Sequence, residues 1–468
     1  MIDECLQGLR ERFGLVRSYK GAGGEDMKEE IGVTSFVSVY PRKSIDELFQ
    51  AQYTVNDLVM RMAGDEEMLG EIAGGTLVVD GERITVSSES DPIYALLERI
   101  RRKKQPLDRI RGIFIRSDYI ENGERLFKQV EVNTISCSFI LLGASVNTMH
   151  QEISGTPSWE KEFKEAAGLP EKAPGAKTEL LISEGPAKLL AFAREAQGQY
   201  ERKYGTRGLF LIADTDSTPA TKNYAEKRGI LDLMTQNGID AVFVSMEDLL
   251  VGYTTRNSRL FYEEKEVFMV YYRWLYNACQ YTEAIVAMRT DFENTYCISV
   301  PDVETQIVGL KLFQPLLCKR SFLSKYVADP SVLERYFVSF LSVEEYQRSK
   351  KPGYVLKPLS EGGGNNFFGE EVDKELSRAN LNTSYVLMEE IRGSTRRNKR
   401  IFKPLGDMVG EVGIFGYAIE VPPRTEALGS PFPPSNETAG YILRSKYSHD
   451  NETGVSAGFG SLDTLGLC

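Results

Sequence analysis

The densest chemistry in the sequence lies between Tyr354 and Glu371, YVLKPLSEGGGNNFFGEE. A short apolar run there delivers a lysine, and an acid, three glycines and two asparagines follow. Tyr354-Val355-Leu356 favours a strand, and Lys357 near its end places an ammonium where it can meet phosphate. Gly362, Gly363 and Gly364 lack Cβ, so their N–H groups can approach anionic oxygens closely. Glu361 and Asn366 offer hard oxygens of the kind that hold Mg²⁺ together with substrate phosphates. The combination reads as an anion cradle for a nucleotide. A glycine-rich surface turn uses the same residue types, and neither GxxxxGK[ST] nor GxGxxG after a strand is present here.

A second constellation runs from Ile113 to Phe139, IFIRSDYIENGERLFKQVEVNTISCSF. Arg116 ends an apolar run, and Gln129 to Asn133 alternates polar with apolar, which puts Glu131 and Asn133 on one face of a strand. Two oxygen donors on one face suit a hard cation, although an ordinary half-exposed strand has the same pattern. Ser136 and Ser138 follow at the same spacing and can bind a carboxylate or amide.

The elements that must position these residues alternate. Gly208 to Asp214, Ala241 to Ser245 and Val267 to Tyr272 read as strands, with helices at Tyr224 to Asn237 and Tyr281 to Arg289, a small βαβ unit with a parallel sheet. Arg273 and Tyr276 lie just past a strand's carboxyl end, where open α/β sheets place ligands. Pro301-Asp302 opens a predicted helix that carries Lys311, a second lysine able to reach phosphate. Further on, Ser384 to Ile391 reads as a strand, and its apolar backbone beside Met388, Glu389 and Glu390 could form a base pocket. Glu411 to Gly416 is another strand with a leading acid, and Leu443 to Lys446 precedes a second glycine-bearing loop. Ile45 to Met62 has helical apolar spacing, and Gly74 to Val86 reads as a hairpin about Asp80-Gly81. Lys161 to Gly175 reads as a connection, Arg392 to Arg400 as a solvated basic loop, and Arg101 to Lys104 as the cationic end of a helix.

At 468 residues the chain is too long for one ordinary core, so two or three domains are expected. A formal charge of -11 gives no basic footprint for nucleic acid, and no apolar stretch is long enough to span a membrane. Six cysteines without CxxC spacing argue for free thiols, and two histidines leave little room for histidine-based chemistry. The expected location is cytoplasmic; a secreted form with its leader removed would have the same sequence.

Taken together, RSDY (Arg116 to Tyr119), QVEVNTISCSF, the Arg273–Tyr276 pair, PDVETQIVGLK, VLKPLSEGGGNNFFGEE, YVLMEEI, EVGIFG, and LRSK followed by GVSAG resemble the eukaryotic glutathione synthetases, which are ATP-grasp ligases. The resemblance implies an α/β ATP-grasp fold with an inserted small βαβ substrate-binding domain. Residues 1–200 and 309–468 would form the body and 201–308 the insertion. It implies ATP and Mg²⁺ as cofactors and ligation of γ-glutamylcysteine to glycine through an acyl phosphate, in a homodimer. By motif position, Glu131, Asn133 and Glu361 would hold the metal. Lys311, Lys357, Gly362, Gly363, Asn366, Phe368, Met388, Glu389, Glu411 and Lys446 would bind the nucleotide. Ser136, Ser138, Arg273, Tyr276, Val455 and Ser456 would bind substrates, and Arg116 and Arg444 would stabilise developing charge.

Several positions depart from the family pattern. Asp214 to Gly229, DTDSTPATKNYAEKRG, keeps only Asn223 of an E-x-N-x-x-x-Q pattern and has Lys227 where the glutamine would fall. Trp274-Leu275, Phe368, Ser456 and a longer Pro422 to Pro434 loop also differ. These changes leave open a ligase with another donor or acceptor, or a binding protein without turnover.

Overall fold

The computed structural model describes residues 2–20, 26–84, 91–168, 178–219, 221–359, 366–378, 385–422, 435–451, 453–456 and 458–468. Glu361, Gly362 and Gly363, three of the expected ligand contacts, lie outside the described residues.

The site is built on a six-stranded antiparallel sheet. The long strands Arg111–Glu121, Gly406–Glu420 and Ser435–Tyr447 lie side by side, with Phe127–Asn133 beyond the first, Ser461–Asp463 beyond the last, and Thr395–Asn398 also paired to Gly406–Glu420. Successive side chains on a strand point to opposite faces. One face therefore carries Ile113, Ile115, Val412, Ile414 and Leu443, which pack with Leu48, Val55 and Leu58 of the helix Arg42–Ala63. The apolar spacing of that helix is the reason it lies there, each fully buried aliphatic side chain contributing about 1.5–3 kcal/mol. The opposite face carries Arg116, Asp118, Glu411 and Arg444 at one end and Phe114, Phe415 and Tyr417 at the other.

A second sheet has a parallel core, Ala241–Ser245, Leu209–Asp214, Lys265–Tyr272 and Ile298–Val300, to which a short antiparallel pair adds at the edge. Leu209–Asp214 is buried along its whole length, as expected for a parallel strand covered on both faces. Its Phe210 and Ile212 share one core cluster with Phe114 and Phe415 of the first sheet. A third, three-stranded sheet contains Tyr354–Pro358 and Tyr385–Glu389.

The mixed α/β architecture, the Asp80-Gly81 hairpin and the alternating strands and helices agree with the sequence reading. Four local expectations do not hold. The helix after Pro301-Asp302 covers only Val303–Val308, and Lys311 begins a separate short 3-10 turn. Gly309 ends the helix where a Cβ would collide with Thr134, 2.0 Å from its Oγ1. Residues 161–166 continue the helix Pro157–Ala166, whose Trp159 and Phe163 are buried, so the connection is shorter than expected. Arg396 belongs to a strand, its guanidinium 3.4 Å from the Tyr40 ring and hydrogen-bonded to Val39 O and Glu121. Lys104, instead of ending a helix in solvent, joins a buried cluster with Glu293, Glu304 and Arg109.

Candidate functional site

A cavity of about 610 Å³ opens over the polar face of the first sheet. Its wall brings together Arg116, Glu131, Asn133, Lys311, Lys357, Asn366, Phe368, Met388, Glu411, Arg444 and Lys446. These residues come from four strands of one sheet, two of another, the turn after Gly309 and the segment around Asn366 and Phe368.

Strand register explains the floor. Arg116 faces Asn133, Asp118 faces both Glu131 and Gly413, and Arg444 faces Glu411. The hub is Asp118, fully buried: it accepts from Arg116 Nε at 2.6 Å and Nη2 at 2.8 Å, from Asn133 Nδ2 at 2.8 Å and from Arg444 Nη2 at 2.9 Å. Motif reading quoted Asp118 without giving it a role. The signal was its spacing, two residues after Arg116 on a strand, which puts both on one face.

Burial alone would push the Asp118 carboxyl up, but the guanidiniums of Arg116 and Arg444 outweigh burial and hold it below its ordinary 3.8. Glu411 goes the other way. Burial raises it above 4.5, with the carboxylates of Asp118 and Glu131 adding to the rise, although Arg444 and the Thr453 hydroxyl both hydrogen-bond to it. Two carboxylates on neighbouring strands are thus pushed apart by their surroundings.

Gly413 makes this crowding possible. A Cβ there would stand 2.6 Å from Asp118 Oδ1, 2.7 Å from Ile442 Cγ2 and 2.8 Å from Arg116 Cδ. Gly413→Ala is expected to cost about 1–3 kcal/mol, read as a lowered Tm. Gly70→Ala, in a helix with open space around it, should leave Tm unchanged or raise it slightly. Equal melting of the two variants would refute the crowding argument.

Around the floor stand cations and an apolar wall. Lys357, buried, donates to Val130 O at 3.3 Å, and Lys446 donates to Asp450 O at 2.6 Å. Ile120, Val130, Val355, Met388, Ile391 and Val409 line the wall; apart from Met388, the sequence reading did not pick them out for the site. Glu390 and Arg392 also line the cavity, whereas Glu389 turns away. Strand alternation gives the cavity side to Met388, and the Glu389 carboxylate accepts from Ser339 N at 3.1 Å and Oγ at 2.7 Å.

The expected substrate residues form an adjoining group. Arg273, 2% exposed, donates to Cys137 O and to Ser138 Oγ, both at 2.6 Å, while Ser136 Oγ donates to Arg273 O at 2.8 Å. Arg116 Nη1 reaches Ser138 O at 3.4 Å and links this group to the floor. Tyr276 lines a small crevice with Glu131, Asn133 and Lys311. Val455 is buried in the core, and Ser456 is exposed in the loop beyond Thr453. All six cysteines are free, and burial pushes the Cys137 thiol up to about 11, so it is no ready nucleophile.

The sequence profile of the eukaryotic glutathione synthase ATP-binding domain matches residues 13–467. The chain belongs to the eukaryotic glutathione synthase family. Glutathione synthetase of Rattus norvegicus is 26% identical over 480 residues, covering 96% of this chain and 92% of the rat protein. That of Homo sapiens is 25% identical over 459 residues, covering 92% and 88%. Among solved structures, a glutathione synthetase-like effector from Globodera pallida, in its apo form, shares the fold with a TM-score of 0.70. That match covers 100% of this chain and 96% of the other at 17% identity. Val355, Met388 and Ile391 lie beside Lys357 and Lys446 in the same wall.

Proposed function

We propose that this chain is an ATP- and Mg²⁺-dependent carboxylate–amine ligase that joins γ-glutamylcysteine to glycine. Residues 1–200 and 309–468 would act as the ligase body and 201–308 as the substrate-binding insertion. The observation that carries the reading is one cavity in which buried Arg116 and half-buried Arg444 converge on Asp118 beside Lys311, Lys357 and Lys446.

ATP supplies the phosphoryl group that turns the donor carboxylate into an acyl phosphate, which the amine of glycine then displaces with release of phosphate and a proton. The chain's own part is positioning and charge stabilisation. Lys357 and Lys446 would hold phosphate oxygens, and Val355, Met388 and Ile391 would cover the base. Arg116 is fixed by a two-point bond to Asp118, so its remaining donors face the reacting carboxyl without reorganisation.

The donor set fits Mg²⁺. Asn133 uses its amide nitrogen on Asp118 and on Glu131, at 2.8 and 3.1 Å, which leaves its oxygen and the Glu131 carboxylate as hard ligands on the cavity side. Among the described residues no group of three or more His, Cys, Asp or Glu side chains could hold a metal alone, so phosphate oxygens would complete the shell.

The test is a direct assay for glutathione from ATP, Mg²⁺, γ-glutamylcysteine and glycine, with Lys357→Ala as control. Product from wild type, with Lys357→Ala weakened mainly in ATP affinity, is expected. ATP binding without product would favour the second reading, a ligase for another donor or acceptor. The observation behind that reading is Lys227, buried and paired with Asp214 in the stretch that departs from the family pattern.

A further inference from the structure

The turn that carries Arg273 and Tyr276 contains a strained residue. Leu275 has φ of 73°, in the left-handed region, where a bulky apolar side chain is an outlier. It is also fully buried, in the core cluster that holds Leu209, Leu211, Val270 and Tyr272 of the parallel sheet. Backbone of this kind persists only where its surroundings over-determine it, and it gathers at ligand sites. The bonds that hold the turn are Arg273 N to Ala213 O at 2.8 Å, and Tyr276 N and Asn277 N to Gln280 Oε1 at 2.9 and 3.0 Å. Between them the Leu275 carbonyl accepts from Gln306 Nε2 at 2.6 Å and from the Tyr281 hydroxyl at 3.1 Å. Fully buried Arg289 orients that hydroxyl, donating to it from Nη1 at 3.2 Å and from Nη2 to Pro301 O at 3.0 Å.

Gln306 differs from the other partners in where it is anchored. Gln280 and Tyr281 follow the turn directly in the chain. Gln306 stands on the helix Val303–Val308, whose Val303, Ile307 and Val308 belong to the core cluster of Leu48, Val55 and Leu58 from Arg42–Ala63. The capping residue of that helix, Asp302, is paired with Arg111 at 2.8 Å, and its far end stops at Gly309 against Thr134, just before Lys311. The Gln306 amide therefore joins a backbone carbonyl in one core to an element fixed in another. It does so at the crevice where Tyr276 meets Glu131, Asn133 and Lys311, which Gln306 also lines.

We propose that Gln306 is a positioning residue for the donor substrate: its amide holds Leu275 in the left-handed conformation, and that backbone sets Arg273 and Tyr276 relative to Glu131, Asn133 and Lys311. The proposal rests on the donor-binding role given above to the group around Arg273. Gln306 acts through the Leu275 carbonyl, with Tyr281 as its weaker second.

The test is calorimetric titration of γ-glutamylcysteine into the full chain saturated with a non-hydrolysable ATP analogue, together with hydrogen exchange of the Tyr276 and Asn277 amides. Gln306→Leu, which keeps the bulk and removes the donor, should weaken the dipeptide about tenfold or more and the analogue less than about twofold. The two amides should exchange about tenfold faster, with those of Leu209–Asp214 unchanged. Leu275→Gly supplies the rescue. Glycine takes the left-handed conformation without strain, so in the Leu275→Gly background the same Gln306→Leu change should cost less than about threefold. A residue that merely stabilised the fold would weaken both ligands and would not be rescued. Unchanged dipeptide affinity in Gln306→Leu, equal weakening of dipeptide and analogue, or the same loss in the glycine background would overturn the proposal. Should Leu275→Gly fail to fold, Tyr281→Phe replaces it: a few-fold weaker dipeptide with the analogue unaffected sustains the proposal, and any other result overturns it. Should wild type take no γ-glutamylcysteine, the donor named above is wrong and amide exchange alone decides. Faster exchange confined to Tyr276 and Asn277 then sustains Gln306 as the tie that sets the turn, and unchanged exchange overturns it.

Discussion

Asp118→Ala is expected to abolish turnover and to destabilise the fold by about 3–5 kcal/mol, the usual consequence of leaving a buried charge without its partner. Four hydrogen bonds end on this carboxylate, from Arg116, Asn133 and Arg444. Without it, the buried guanidinium of Arg116 and the half-buried one of Arg444 repel each other across the cavity floor, and Asn133 loses the bond that turns its oxygen toward the cavity. Asp118→Asn keeps the shape and one acceptor but not the charge. It should fold better than the alanine variant and still lose most turnover, because Arg116 would no longer be held at two points by a carboxylate. Thermal unfolding and single-turnover product formation read the two effects separately. An alanine variant that melts with wild type would show that the floor is not held by this residue.

The stability attached to Asp118 also has a pH signature. Its folded carboxyl lies below 3.8, so its contribution is present above that value and is lost as pH falls through the folded value. Glu411 has the opposite sign. Its folded carboxyl lies above 4.5, so the folded state binds the proton more tightly, and stability falls as pH rises from 4.5 through the folded value.

The sequence carried much of this site because strands have a period of two. Glu131 and Asn133 could be placed by alternation alone, and the parallel sheet announced itself by runs such as Leu209–Asp214, whereas Arg116, expected at the end of an apolar strand, lies in the middle of Arg111–Glu121. Long-range register could not be read in this way. Arg444 and Asp118 are 326 residues apart, and nothing local to either tells that Gly406–Glu420 brings them together. The short-range failures have local causes. The start signal at Pro301-Asp302 was read through to Lys311, whereas the helix stops at Val308 with Gly309 as its cap, at a position where a Cβ would collide with Thr134. The basic run from Arg392 read as solvated because charge was counted without its partners, yet Arg396 lies on the Tyr40 ring with Glu121 beside it. In the stretch whose main chain was read as a base pocket, the Met388 side chain lines the cavity and the Glu389 side chain is held by Ser339.

Arg444→Ala is the second large effect. Its Nη2 bridges Asp118 and Glu411, and its Nε is buried with no hydrogen-bond partner, a donor still available to a developing negative charge in the cavity. Removing a prearranged donor of this kind is expected to lower kcat by about 10²–10³ while ATP affinity changes only a few-fold. The variant should also respond differently to pH. Asp118 keeps Arg116 but loses its second guanidinium, and Glu411 loses the main group that opposes its burial, so both carboxyls move up. The folded state then holds protons over a wider range above 4.5, and its stability falls more steeply between that pH and neutrality than in wild type. Tm measured against pH for the two proteins should therefore converge at the acid end and separate as pH rises. Parallel curves would mean that Arg444 does not set the protonation of Glu411. Loss of kcat with parallel curves would then confine Arg444 to the reacting carboxyl, with no part in holding the charge balance of the floor.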